Sequence, residues 1–162
     1  MVKLMIFIIL VLVISYVALR FHAQNQAQKA VTTLTWLVQG EGCYNEDVKK
    51  NFEASLKDTY GMNVRSDTNQ DGIIDDSDDY WINFYPDCTA VTNASGTSVY
   101  NDLSTSYLNH VSRGEVLHCS VTVTINYRTP FGMFMVGDPI LFNETITAEA
   151  DTVSTRYFKG DA

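Results

Sequence analysis

Leu4–Leu19, LMIFIILVLVISYVAL, is the stretch on which the reading of the whole chain turns. Its 16 residues carry no charge, and only Ser15 and Tyr16 interrupt the apolar side chains. As a helix rising about 1.5 Å per residue it is roughly 24 Å long, against about 30 Å for the hydrocarbon core of a bilayer. Tilt, local thinning, or burial among copies of itself closes that gap.

Working outward, the helical pattern does not stop where the hydrophobicity does. Arg20–Val38 contains neither Gly nor Pro, and Ala23, Ala27, Ala30, Val31, Leu34, Leu37 and Val38 form an apolar stripe at helical spacing among Gln24, Gln26, Gln28, Lys29 and Thr32. One helix from about Val2 to Val38 is the economical reading, apolar all round in its first half and amphipathic in its second. Gly40 and Gly42 then end it. Three fates compete for such a segment: a cleaved signal, a single-pass anchor with Lys3 on the cytoplasmic side, and a helix that leaves the bilayer to pack against copies of itself. The first is disfavoured, because Ala18-Leu19-Arg20 and Phe21-His22-Ala23 put large residues where a cleavage site wants small ones.

The 124 residues after Val38 suffice for one modest core, so the expected division is a helix over 1–38 and one globular domain over 39–162. The chain's net charge is −8, and Lys3, Arg20 and Lys29 all lie on the helix, leaving the domain more acidic still. Such a surface repels nucleic acid. Of the three cysteines, Cys43, Cys88 and Cys119, none sits in a CxxC pair or at ligand spacing from a His, which argues against zinc and for one disulfide plus one odd thiol outside the cell.

Asn45–Tyr60 reads as a second helix: Val48, Phe52, Leu56 and Tyr60 recur every four residues, Glu46 and Asp47 suit its first turn, and Gly61 caps it. The sharpest chemical signal follows in DTNQDGIIDDSDD, Asp67 to Asp79. Asp67, Asn69, Asp71, the Ile73 carbonyl, Asp75 and Asp78 fall at positions 1, 3, 5, 7, 9 and 12 of a calcium loop, with Gly72 at the sharp turn and Ile74 at position 8. Alternate residues of a tight loop turn their oxygens inward and replace the water of a hard cation. The segment resembles the loops of dockerin domains, which share the D-x-N-x-D-G-x-I pattern. A single loop without a second repeat suits a structural calcium ion over a switching sensor.

Tyr80–Tyr85, YWINFY, alternates as a strand, whereas Pro86–Gly114, rich in Ser, Thr, Asn and Asp, reads as a long surface excursion with room for a short helix over Leu103–Val111. Asn93-Ala94-Ser95 and Asn143-Glu144-Thr145 are glycan acceptor sequons. The last third is β: in Glu115–Tyr127 the residues Leu117, Cys119, Val121, Val123, Ile125 and Tyr127 share one face, and a second long strand runs from Ile140 to Phe158 after turns at Thr129–Gly132 and Gly137–Pro139. If the YWINFY strand neighbours the Cys119 strand, Cys88 pairs with Cys119 and Cys43 is left over, one of three pairings that three cysteines allow.

No catalytic constellation emerges. His22, His110 and His118 are dispersed, no nucleophile elbow, phosphate loop or HExxH is present, and the calcium loop accounts for the clustered carboxylates, so an enzyme is not expected.

The order of a long half-apolar N-terminal helix, an acidic middle, and a terminal SVTVTINY, turn, ITAEADTVSTRYFKG resembles the TadE-like pseudopilins and related pilin-like proteins of the type IV pilin superfamily. The resemblance implies an α+β, pilin-like fold with the helix packed by its C-terminal half on an antiparallel sheet. It further implies a subunit held in the membrane before assembly and then polymerised with its own copies into a surface filament used in adhesion, secretion or conjugation. The helix face for that assembly runs through Leu4, Ile8, Val11, Ser15, Ala23, Ala27 and Ala30. Pilins of this class carry a Glu at the fifth residue of the mature chain; counted from Met1 that place is Met5. A monomeric, membrane-anchored calcium-binding module of a secretion or conjugation apparatus is the alternative.

Overall fold

The computed structural model describes residues 2–62, 82–101, 110–128 and 140–156. Helix α1, Val2–Glu41, is a single element of 40 residues. It runs three residues past Val38 because Gly40 is accommodated in the last turn, and it stops at Gly42, whose φ of 66° is left-handed and whose N–H donates to the Val38 carbonyl at 2.7 Å. The other end of the chain helps to cap it. The Thr155 N–H and hydroxyl both donate to the Gln39 carbonyl at 3.0 Å, and Arg156 pairs with Glu41.

After the two-residue strand β1, Tyr44–Asn45, comes α2, Glu46–Tyr60. Asn45 is its N-cap, with Oδ1 accepting from the Val48 N–H at 2.8 Å, and Glu46 and Asp47 sit where the helix dipole favours negative charge. Gly61 closes it in the left-handed conformation, its N–H donating to Lys57 and the Met62 N–H to Leu56, both at 3.1 Å. The buried face is Val48, Phe52 and Leu56.

Three long strands form an antiparallel sheet in the order β2 (Ile82–Asn93), β4 (Val116–Arg128), β5 (Ile140–Val153). The short β3, Tyr100–Asn101, lies parallel to β1. The sheet differs from the sequence reading at two points: β5 stops at Val153, short of the expected Phe158, with residues 154–156 irregular, and Pro86 does not end β2, which continues to Asn93. Proline is tolerated because β2 is at the edge of this sheet, and the ladder slips by a bulge between Pro86 and Cys88. What reads as an excursion therefore supplies core: Val91, Val99 and Val111 are all buried. The expected helix over Leu103–Val111 falls mostly outside the described residues, and Val111 itself is irregular.

That register also corrects the cysteine pairing. Cys119 is opposite Val91, while Cys88 is opposite Thr122, three residues along β4 and so about 10 Å away at about 3.3 Å per residue. A disulfide needs Cα atoms within about 7 Å. Cys119 is accordingly a buried thiol, and Cys43 is a second one.

The core lies where α1 crosses the sheet. Ala27, Ala30, Val31, Leu34 and Val38 of the helix meet Leu117, Cys119, Val121 and Val123 of β4 and Ala148 of β5, with Phe52 and Leu56 of α2 closing one side. Alanine at two helix positions, Ala27 and Ala30, brings the helix backbone close to the strands, and each larger aliphatic buried there contributes about 1.5–3 kcal/mol.

Candidate functional site

The two ends of α1 face different surroundings. From Leu4 to Leu10 every side chain is exposed, Leu4 by 64% and Phe7 by 62%, and Val11, Val13, Ile14 and Val17 follow. It is the one helix among the described residues long and apolar enough to cross a membrane. In water such a patch would be an aggregation site, and its length and composition suit a membrane anchor or a signal sequence.

Of the seven residues expected on an assembly face, Leu4, Ile8 and Val11 are open to such surroundings and Ser15 is half-buried. Ala23, Ala27 and Ala30 are not available to a neighbour. All three have zero exposure, Ala27 and Ala30 in the core shared with the sheet, so bulky substitutions there would test folding and not assembly. The stripe through these residues looked continuous with Leu4–Ser15, but its partner changes along the helix, which periodicity cannot register.

The change of partner happens at a polar cluster. The Tyr16 hydroxyl donates to Glu144 Oε2 at 2.7 Å, and Arg20 pairs with Glu144 Oε1 at 3.1 Å, tying β5 to the helix at the edge of the apolar run. Beside it lies a cavity of about 330 Å³ lined by Tyr16, Val17, Arg20, Phe21, Gln24 and Ile146. Sequence reasoning missed this cluster, although Tyr16 as the aromatic hydroxyl of the run and Arg20 as the first charge after it were visible signals. Further along, Gln26 is buried with its Oε1 unpartnered, a group whose desolvation costs about 1–3 kcal/mol.

The remaining expected sites are dispersed. The calcium loop, Asp67, Asn69, Asp71, Ile73, Asp75 and Asp78, lies outside the described residues. Asn93 holds a turn: its Oδ1 accepts from the N–H of Ser95 at 3.0 Å and of Thr97 at 2.9 Å. Asn143 is in β5, paired with Asn126. His118 is on the outer face of the sheet, 2.6 Å from Asp151. Burial pushes the Cys119 thiol up to about 12, with the Asp151 charge adding to it, so that sulfur is a packing atom and not a nucleophile. Burial likewise raises the Tyr44 hydroxyl to about 12, helped by Glu53, the adjoining Tyr100 and Glu46.

No protein-family model, no curated protein and no solved structure matches this chain.

Proposed function

We propose that the chain is a structural subunit of a type IV pilus-like extracellular filament, held in the membrane by Leu4–Leu19 before assembly and packed through that segment against its own copies afterwards. The observation that carries this reading is the continuity of α1: a bare apolar rod and a domain-bearing face are one helix of 40 residues with no linker between them. A tether needs only to hold a domain near a membrane, and a flexible link serves for that. A rigid helix fixes the orientation of the domain relative to the apolar rod, and a fixed orientation is what a repeating lattice requires. The energetics are consistent with two homes for the rod. Lipid tails and aliphatic side chains are equally apolar, so exchange of lipid contacts for contacts with other copies is close to neutral, whereas exposure to water is not.

In this reading the acidic domain is displayed outside, and the loop Asp67–Asp78 holds one structural calcium ion that supports a small domain. Asp71→Ala should lower the melting midpoint and abolish its dependence on calcium; identical melting curves with calcium and with chelator would remove the ion from the proposal. Asn93 and Asn143 remain acceptor sites for glycans in a host that glycosylates.

The filament is tested by electron microscopy of the fraction sheared from intact cells, with mass spectrometry identifying the subunit and its N-terminal residue. Filaments built mainly of this chain carry the reading. Retention of the chain in membranes, with no filament containing it, replaces it by the monomeric anchored calcium-binding module.

A further inference from the structure

Asn93-Ala94-Ser95 and Asn143-Glu144-Thr145 are equivalent as acceptor sequons, and the fold makes them unlike. Asn93 ends β2 where the chain reverses. The Gly96 N–H donates to the Asn93 carbonyl at 2.9 Å, the Asn93 N–H to the Thr97 carbonyl at 2.9 Å, and the Val99 N–H to the Val91 carbonyl at 3.1 Å. Val91 and Val99 are buried and anchor the turn from both sides, whereas residues 94–98 are all exposed. A group added at this tip displaces nothing from the core.

The same turn orients the Asn93 carboxamide. Two backbone N–H groups, of Ser95 at 3.0 Å and of Thr97 at 2.9 Å, donate to one atom of it, which fixes that atom as the oxygen. Nδ2 is therefore on the other side of the group, and it meets no partner among the described residues. The Ser95 hydroxyl, the second group of the sequon, is exposed and equally without a partner among the described residues. Asn143 is held differently. It lies within β5 opposite Asn126, and Thr145 is opposite Thr124. Glu144 between them is tied to α1 through Tyr16 and Arg20. To enter an active site as a bent tripeptide, this sequon must strip from β4 and release α1, while the Asn93 sequon is already bent and outside the ladder.

We propose that Asn93 is the glycan acceptor of the folded chain and that Asn143 is closed by the sheet. In the transfer, Asn93 Nδ2 bonds to the anomeric carbon of a polyprenyl pyrophosphate-linked oligosaccharide. The bond from that carbon to the phosphate oxygen breaks, the pyrophosphate leaves with its electron pair, and the amide proton passes to a base of the transferase. Asn93 is in register with Leu117 and Thr152, at the end of the sheet where Thr155 meets Gln39, whereas Glu144 beside Asn143 meets Tyr16 in the apolar run. A glycan on Asn93 is thus carried at the domain end of α1 and leaves the apolar segment unobstructed. This inference rests on the proposed placement of the domain outside the cell and not on filament assembly.

The test incubates the folded full chain in detergent with an oligosaccharyltransferase and its polyprenyl pyrophosphate-linked oligosaccharide, beside a tryptic digest of the same chain, and maps the modified residues by tandem mass spectrometry. The digest should be modified at both sequons. In the folded chain Asn93 should react more than about tenfold faster than Asn143, the factor that corresponds to about 1.4 kcal/mol of local opening. Asn93→Gln should abolish modification of the folded chain. Ser95→Ala, which keeps the backbone of the turn, should abolish it too; Ser95→Thr should retain it, and Asn143→Gln should leave it unchanged. Equal rates at the two sequons of the folded chain, a preference for Asn143, or no modification at Asn93 overturns the proposal. So does a digest with the same preference as the folded chain, since the selection would then lie in the tripeptides and not in the fold. Failure here leaves the filament reading standing, and absence of filaments leaves the acceptor standing.

Discussion

Residues 4–19 and 23–38 of α1 belong to one uninterrupted helix and are equal in length, yet the more apolar of the two is the exposed one. Leu34 and Val38 have zero exposure under the sheet, while Leu4, Ile9 and Leu10 are more than half exposed. The difference teaches that burial within a protomer follows the shape of the apolar surface and not its amount. A stripe with polar residues around it can be covered by one sheet, and the remaining face stays in water. A helix that is apolar all round cannot be satisfied by any single partner on one side, and it needs surroundings that are apolar in every direction.

The comparison breaks most visibly at Leu34. Leu34→Ala should cost about 2–5 kcal/mol of domain stability by chemical denaturation, since it removes a fully buried side chain from between α1 and the sheet. A loss below 0.5 kcal/mol would mean that the second half of α1 is not a core element. The converse is Leu10→Lys, which should leave the domain's unfolding transition where it is. It should shift the chain out of the membrane fraction, because a lysine near the middle of a crossing helix costs about 2.5–3.5 kcal/mol. Continued flotation with vesicles would show that Leu4–Leu19 does not span.

Cys119 reports on how well the second half of α1 seals the sheet beneath it. Its thiol is neutral in the folded chain up to about 12, against an ordinary 9.0, so between those values the folded state holds a proton that the unfolded state has lost. Stability is therefore unaffected by this group below pH 9 and falls as the pH climbs toward 12, with Tyr44 adding in the same direction above 10.0. Native protein at pH 8 should be alkylated at Cys119 only as fast as it unfolds; immediate labelling would mean an open face. The smallest effect belongs to Ile9→Ala, which should move domain stability by no more than about 0.5 kcal/mol despite removing three carbons from an aliphatic side chain, because that side chain is more than half exposed.

Much of this architecture is local physics and could be read from the chain alone. The helix follows from a long run without Gly or Pro, its termination from Gly42, the second helix from Asn45, the four-residue apolar repeat and Gly61, and the inward face of β4 from strict alternation. Each depends on residues a few positions apart. What the tertiary structure decided depends on register between distant segments. Pro86 reads as a stop unless the strand is known to be an edge; Cys88 and Cys119 read as partners until the ladder sets them three residues apart; Ala27 and Ala30 read as an interface until β4 and β5 are laid over them. Tyr16, Arg20 and Glu144 meet across more than 120 residues of chain. Pairing of that kind is fixed by how far each strand slides along its neighbour, a global quantity that no window of sequence contains.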